Sequence, residues 1–236
     1  MATNETRKRI WQCDPYQFPF RRCPDAAFNQ RVAGGLARGG QAVPDPGRVA
    51  RGDARQNALG NERNVGVRGL SGPSAMLPDD LLALAARVVA ENLAAGRTLA
   101  LAESCTGGLV AAAITEIPGS SAVFDRGFVT YSNESKHEAL GVSYDIIDAF
   151  GAVSIACAWA MAQGALQRSR ADVTVSISGI AGPDGGTAQK PVGTVVFARA
   201  IRGSDEVLAE ERWFDVANRA EVRHQAALVA LELLLP

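Results

Sequence analysis

Apolar and polar positions recur with helical or strand spacing only from about residue 77 onward. Acidic residues in 78–80 favour a helix start, because the positive end of the helix dipole lies there. An apolar stripe at near-helical spacing runs from that start toward Gly96: Leu81, Leu84, Ala85, Val88 and Leu93. The short apolar run 98–102 then predicts a buried strand, so the pattern indicates a helix followed by a strand.

The same pattern divides the remainder of 77–236 into alternating helices and strands. Further helices are predicted over 109–117, 134–140, 144–150, 219–235 and from a capping Ser154 to about residue 168. Further strands are predicted over 128–132, 173–178, 192–200 and 207–214, the last two joined by a hairpin turn at 202–205. Helices that alternate with strands before a β-meander predict an α/β fold, a single layered α/β/α domain with a mixed sheet.

The first 75 residues have a different composition. They contain ten Gly and six Pro and show no apolar periodicity sustained over a helix or strand. Such a segment cannot bury enough surface to offset its chain entropy, so we predict a disordered N-terminal extension over 1–75 and a domain over 77–236. A targeting segment and a misplaced start codon are the alternatives; Met76 directly precedes the first predicted helix.

Charge divides at the same boundary. Residues 1–75 carry twelve basic and six acidic residues, and 76–236 carry twelve basic and nineteen acidic. An acidic domain argues against nucleic acid as a partner, since phosphate backbones are bound chiefly by clustered Lys and Arg. The four cysteines form no CxxC pair, so neither a zinc site nor a disulfide framework follows. With no spanning apolar stretch or signal peptide, we expect a cytoplasmic protein without membrane contact.

The first candidate for chemistry is the turn 103–108, Glu-Ser-Cys-Thr-Gly-Gly, between a strand and a helix. A serine there stands at the carboxyl end of a sheet strand, where open α/β sheets bind ligands. Free N–H groups at the helix start could hold a phosphate or an oxyanion. The alternative is a plain glycine-rich connection with a capping hydroxyl, and spacing by itself favours that alternative.

A serine nucleophile needs a base. His137 and His224 both lie in charged helical stretches, which favours solvent-facing positions over a catalytic role. Lys136 follows the predicted strand that ends near Tyr131, and Ser–Lys pairs are known variants of nucleophilic catalysis. Such a lysine must be neutral, which requires burial or nearby positive charge. A solvated Lys136 and a sheet aromatic at Tyr131 are the alternative interpretation.

Two further segments could bind a ligand. The long Gly/Pro loop 179–191 contains neither a Walker sequence nor a G-x-G-x-x-G fingerprint, yet long loops within compact domains are often functional. Arg219 and Arg223 lie four residues apart on one face of the last helix, where they could clamp a phosphate. Pairing with Glu211, Glu221 or a neighbouring subunit is the alternative.

These segments, in this order, resemble the CinA C-terminal domain family over essentially all of 77–236. The resemblance rests on LAESCTGG, PGSSAVFDRGFVTYSNESK, GAVS, SISGIAGPDGGTAQKPVGTV and the NRAEVR helix. Where the family often has Gly-Asp-Arg at the last helix start, this chain has Ala217-Asn218-Arg219. Gln189 and Ile155 replace glutamates common in the family. These departures lie away from the candidate nucleophile and base.

The resemblance implies an amidohydrolase of pyridine nucleotide salvage, acting on nicotinamide mononucleotide without metal or cofactor. A non-catalytic nucleotide-binding or regulatory module is the alternative, and a homo-oligomer is left open. Catalytic roles are implied for Ser104 as nucleophile, Lys136 as base and Tyr131 as its assistant. Substrate-binding residues are expected in the turn, the loop and the last helix: Glu103, Thr106, Gly107, Gly108, Gly179, Ala181, Gly182, Gly185, Arg219 and Arg223.

Overall fold

The fold is built on a six-stranded mixed sheet with the strand order β1-β6-β5-β4-β2-β3. The computed structural model describes residues 7–13, 77–204, 206–216 and 218–236. The strands are β1 Arg7–Cys13, β2 Leu99–Glu103, β3 Phe124–Val129, β4 Val173–Gly179, β5 Thr194–Ile201 and β6 Val207–Trp213. Strand β2 is parallel to β3 and β4, whereas β4, β5, β6 and β1 pair antiparallel in that order.

Helices cover both faces of this sheet. They are α1 Asp79–Ala94, α2 Leu109–Thr115, α3 Asn133–Leu140, α4 Tyr144–Phe150, α5 Ile155–Gln167 and α6 Arg219–Leu233, with a 3₁₀ turn at Ser120–Ala122. Helices α1, α2 and α6 share a core with one face of β2, β4 and β5. Helix α5 covers the opposite face and packs against α3 and α4. The predicted α/β/α layering with a mixed sheet is therefore confirmed.

Strand alternation explains how one sheet serves two cores. On β2, Leu99 and Leu101 face the α1/α2/α6 layer, whereas Ala102 faces the α5 layer. Small side chains on the α5 side let that helix approach closely, and the Ser176 hydroxyl donates to the Ala158 carbonyl at 2.6 Å. The helix caps follow the sequence: the Ser154 hydroxyl accepts from the Cys157 N–H at 3.1 Å, as predicted for the start of α5.

Two sequence predictions in the domain were wrong in detail. The strand predicted at 128–132 lies at Phe124–Val129, because parallel pairing with β2 recruits a polar stretch that has no strand pattern of its own. Leu93 was placed on the buried face of the first helix, yet it is 55% exposed. Residue 92 takes the inward position instead, and the buried Asn92 amide donates to the carbonyls of Val88 and Leu234.

The N-terminal stretch contains a strand that the sequence did not predict. Arg7–Cys13 pairs antiparallel with β6, whose edge supplies the backbone hydrogen bonds that a seven-residue segment cannot form alone. The rest of the predicted extension, 1–6 and 14–75, lies outside the described residues, and its disorder stays a prediction. No helix within the described ranges is long and apolar enough to cross a bilayer.

The sheet topology determines where a site can form. Strands β2, β3 and β4 are parallel, so their carboxyl ends meet at one edge of the sheet. The chain leaves β2 through the turn 103–108, leaves β3 toward α3, and leaves β4 through the loop 179–191. Three of the sequence segments singled out for chemistry thus meet at the same place, as open α/β sheets lead one to expect.

Candidate active site

The candidate nucleophile stands directly after β2. The Ser104 N–H donates to the Ile177 carbonyl of β4 at 2.9 Å, which extends the sheet pairing by one residue. The Thr130 N–H donates to the Glu103 carbonyl at 2.8 Å from the other side. Ser104 is therefore fixed by both neighbouring strands, and its side chain lies in a largely buried position, 7% exposed.

The buried Glu103 side chain caps the N-terminus of α2. Its carboxylate accepts from the N–H groups of Gly108 at 2.9 Å, Val110 at 3.2 Å and Ala111 at 2.9 Å. The residue is 1% exposed, so this buried charge is held by backbone donors at a helix N-terminus, where a negative charge is favoured. We expected Glu103 to bind substrate, but both of its carboxylate oxygens face the backbone of α2.

This arrangement also corrects the expected oxyanion donors. We expected N–H groups of 106–108 to be free for an oxyanion. Two of the three have other partners: the Gly108 N–H donates to Glu103, and the Gly107 N–H donates to the Ser104 carbonyl at 3.0 Å. For Thr106 the expectation stays a prediction. Gly107 and Gly108 both have positive φ, at 62° and 93°, so the two glycines are needed for the shape of the turn.

Lys136, the candidate base, lies beside the candidate nucleophile. It lies on the first turn of α3, after the capping box of Ser132 and Ser135, and it is only 2% exposed. Its Nζ lies 3.1 Å from Ser104 Oγ, and 3.0, 3.4 and 3.5 Å from the carbonyl oxygens of residues 130, 131 and 132. The structure thus joins a serine and a lysine that are 32 residues apart in the chain.

The neighbours of Lys136 suit a neutral amine. Burial lowers the pKa of Lys136, because the ammonium form loses its hydration. A neutral amine has two N–H groups and one lone pair. The carbonyls around Nζ can only accept, so the N–H groups are directed to them, and the lone pair is left for the Ser104 hydroxyl, which can donate. A general base must approach its nucleophile in this way, and the roles of Lys136 and Ser104 as base and nucleophile stay a prediction.

Two buried thiols lie in the same neighbourhood. Cys105 is 5% exposed and Cys157 is fully buried. Burial raises the pKa of Cys105 to about 12 and that of Cys157 to about 11, so both stay protonated near neutral pH. A buried thiol of raised pKa is a poor nucleophile. Ser104 is therefore the better candidate nucleophile, and the two cysteines fill space beside it.

Tyr131 does not reach Lys136 through its side chain. The ring is 61% exposed, and its hydroxyl lies 2.7 Å from Nη2 of Arg219. The second nitrogen of the same guanidinium, Nη1, donates to the Gly182 carbonyl at 2.8 Å. Arg219 therefore connects the end of β3 to the loop after β4. The assisting role implied for Tyr131 stays a prediction.

Arg223 faces a different part of the site from Arg219. Its Nη2 donates to the Thr106 carbonyl at 2.8 Å, and its Nε is buried without a hydrogen-bond partner. Thr106 itself is fully buried, and its hydroxyl likewise has no partner. We expected both arginines to clamp one phosphate; instead, Arg223 is directed at the nucleophile turn, and Arg219 at the rim formed by Tyr131 and Gly182.

The glycines of the loop after β4 serve close packing. A Cβ at Gly179 would lie 2.7 Å from Val195 Cγ2 and 3.1 Å from Cys105 Sγ, so this position must be glycine for the nucleophile turn to fit against the sheet. Gly182 has φ 81° and no room for a Cβ beside Val192. Ala181 is buried and Gly185 is exposed. Substrate contact by any of these four residues stays a prediction.

Lys190 fixes this loop in place and was not predicted from the sequence. Its Nζ donates to the carbonyl of Val153 at 2.6 Å and to that of Phe150 at 3.1 Å, which ties the loop to the segment before α5. A lone lysine in a Gly/Pro-rich loop was the available signal. The two histidines lie elsewhere, as predicted: His137 contacts the Val142 carbonyl, and His224 pairs with Asp80.

Among the residues that the structure describes, no three His, Cys, Asp or Glu side chains are grouped so that they could hold a metal ion. A family model described as CinA C-terminal domain matches residues 81–236, which include every element of this site. The chain belongs to the CinA C-terminal domain family.

Relatives within the CinA family differ in length. The nicotinamide-nucleotide amidohydrolase PncC of Enterobacter agglomerans is 54% identical over 153 residues, which cover 64% of this chain and 92% of the relative. The PncC protein of Escherichia coli K12 is 49% identical over 159 residues, covering 67% and 95%. A CinA-like protein of Syntrophotalea carbinolica is 51% identical over 139 residues, but this chain spans only 33% of its length.

Solved structures of the CinA family show the same fold. The competence/damage inducible protein CihA of Agrobacterium tumefaciens superposes with a TM-score of 0.65 at 48% sequence identity. The match covers 68% of this chain and 97% of that protein. A CinA superfamily protein of Klebsiella pneumoniae superposes with a TM-score of 0.61 at 38% identity, covering 65% and 94%. The domain after residue 76 therefore accounts for nearly the whole of these smaller family members.

Proposed function

We propose that this chain is an amidohydrolase that converts nicotinamide mononucleotide into nicotinate mononucleotide and ammonia, a step of pyridine nucleotide salvage. The observation that carries the proposal is the 3.1 Å approach of the buried Lys136 Nζ to Ser104 Oγ. Relatives named nicotinamide-nucleotide amidohydrolase, whose lengths this domain nearly fills, support the choice of substrate.

The proposed reaction has two halves. In the first, Ser104 Oγ attacks the carboxamide carbon while its proton passes to Lys136 Nζ, and a tetrahedral oxyanion forms. The lysine returns that proton to the amide nitrogen and the C–N bond breaks. Ammonia departs, and the acyl group remains on Ser104 as an ester. In the second, water attacks the ester with Lys136 again taking the proton, and Ser104 is released with the carboxylate product. One base thus serves both halves.

Arg219 is the proposed contact for the nucleotide phosphate. Its guanidinium is exposed at the rim of the site and already bridges Tyr131 and Gly182. A guanidinium can bind phosphate through two parallel N–H donors, which an ammonium cannot do. Placing the phosphate at this rim leaves the carboxamide to extend inward, toward Ser104.

The direct test is ammonia release from nicotinamide mononucleotide by the full chain and by its Ser104→Ala variant. We expect stoichiometric nicotinate mononucleotide and ammonia from the parent chain and none from the variant. Equal inertness of both proteins, with a shift of the melting temperature on adding the nucleotide, would instead indicate the non-catalytic binding module. Equal activity of both would remove Ser104 as the nucleophile.

Arg219→Ala should raise KM for nicotinamide mononucleotide about tenfold and leave kcat nearly unchanged. A hydrogen bond to a charged group contributes about 1.5–3 kcal/mol, and 1.4 kcal/mol corresponds to a factor of ten. The measurement is a pair of steady-state titrations, one with the mononucleotide and one with nicotinamide riboside, which lacks the phosphate. An equal rise in KM with both substrates would contradict a phosphate contact at Arg219.

A further inference from the structure

Most N–H groups at the N-terminus of α2 already have acceptors and are not free for a developing anion at Ser104. Glu103 accepts from Gly108, Val110 and Ala111, and the Ser104 carbonyl accepts from Gly107. The buried carboxylate also places a full negative charge one residue before the nucleophile. An anion formed there would be disfavoured by that charge unless a positive charge on another element compensates it.

Arg223 of α6 is a cation that contacts this turn directly. Its Nη2 donates to the Thr106 carbonyl at 2.8 Å and lies 3.7 Å from the position that a Cβ on Gly107 would occupy. Its Nε and the hydroxyl of Thr106 are both buried and without partners. Both carry hydrogen-bonding capacity that the folded chain leaves unused next to the nucleophile.

Both charges bear on the pKa of the neighbouring thiol, Cys105. After burial, which is the largest influence, Glu103 raises the pKa of Cys105 and Arg223 lowers it. Cys105 directly follows the nucleophile in the chain. Two opposite charges therefore act on this position, with Arg223 favouring the anionic form of the thiol.

We propose that Arg223 is a positioning residue of the site, whose guanidinium holds the carbonyl of Thr106 and supplies the positive charge that stabilises an anion at residue 104. The inference rests on the proposed role of Ser104 as nucleophile. The two arginines of α6 then have different roles, because Arg219 binds the substrate phosphate and Arg223 acts on the reacting centre.

The test uses the Ser104→Cys variant of the full chain, in which the thiol reports on charge at the nucleophile position. Alkylation of residue 104 by iodoacetamide is followed against pH by mass spectrometry of its peptide, because only the thiolate reacts. The charged and titratable groups in this neighbourhood are Glu103, Cys105, Glu134, Lys136, Cys157 and Arg223. All but Arg223 are held constant in the comparison.

Adding Arg223→Gln should raise the midpoint of this pH profile by about one unit, as expected on removing a nearby opposite charge. Arg223→Lys, which keeps the charge, should recover most of the shift. The matched control is Arg87→Gln, which removes an exposed arginine paired with Glu91 on α1 and should leave the midpoint unchanged. An unshifted midpoint with Arg223→Gln, or the same shift with Arg223→Lys, would overturn the proposal.

Kinetics on the Ser104 protein give a second readout. Arg223→Gln should lower kcat by about tenfold, and Arg223→Lys should lower it less. For each variant, the factor should be the same with the mononucleotide and with the riboside. A change confined to KM would contradict the assignment. Should the parent chain prove inactive, the alkylation profile still decides the role of Arg223, so failure of the proposed function and failure of this inference remain distinguishable.

Discussion

Lys136→Met is expected to lower kcat by about 10²- to 10⁴-fold, the range found for removal of a general base. Methionine keeps an unbranched side chain at this buried position, but its thioether is far too weak a base to take the Ser104 proton. Ammonia release under saturating nicotinamide mononucleotide measures the loss. Nucleotide binding, followed as a shift of the melting temperature, should persist, because Lys136 touches the nucleophile and not the rim.

The matched comparison is with Ser104→Ala and with the double variant. Two residues that act as one unit give strongly non-additive losses, so the double variant should be no slower than Ser104→Ala alone. Multiplicative losses would show that Lys136 and Ser104 contribute independently. Near-normal turnover in Lys136→Met would exclude this lysine as the base.

The pH dependence follows from the lowered pKa of Lys136. Catalysis needs the neutral amine, so kcat/KM should rise with pH through the lowered folded-state value and level off before about 10.4, the ordinary lysine pKa. Between those two values the unfolded chain binds more protons at this site than the folded protein. The free energy of unfolding therefore rises with pH in this window. In Lys136→Met, neither kcat/KM nor the free energy of unfolding should show this rise with pH.

Gly164→Ala should destabilise the fold by about 1–3 kcal/mol, the usual range for overpacking. Alanine normally stabilises a helix interior by about 1 kcal/mol relative to glycine. Here a Cβ on α5 would overlap the Leu140 carbonyl oxygen and would lie 2.9 Å from the carbonyl carbon. These are backbone atoms, so α3 and α5 must move apart. Thermal unfolding should show a decrease in Tm of about 2–4 °C per kcal/mol.

Activity should fall together with stability in this variant, since Leu140 ends the helix whose first turn carries Lys136. Gly127→Ala on β3 is the matched control, because its Cβ would make contacts of 3.4 Å with Ala111 and 3.5 Å with Phe124. It should change Tm little and preserve turnover. A gain in Tm with Gly164→Ala would mean that helix propensity outweighs the contact with Leu140.

Most of the fold could be predicted from sequence because its elements carry local patterns. The apolar stripe of α1, the capping Ser154 and the apolar strand β4 are each recognisable within a few residues. Strand β3 begins four residues before its predicted start because Asp125 and Arg126 have no strand pattern, and pairing with β2 is a tertiary effect. Propensity cannot foresee a strand whose only support is its neighbour.

The site was predictable in its parts and not in its contacts. Family resemblance drew attention to Ser104 and Lys136, but no local signal places Nζ beside Oγ across 32 residues. Spacing on α6 suggested one clamp for Arg219 and Arg223. The two side chains diverge because their partners, the loop carbonyl of Gly182 and the turn carbonyl of Thr106, lie on different segments.

Strand β3 is the edge strand next to the candidate base, and its residues are mostly exposed. The chain runs from this border strand directly into α3, so the lysine is attached to the least protected part of the sheet, whereas the serine follows a strand paired on both sides. Fraying of a border strand requires far less free energy than unfolding of the whole domain. We therefore expect the serine–lysine pair to separate by local opening at this edge far more readily than by unfolding of the domain.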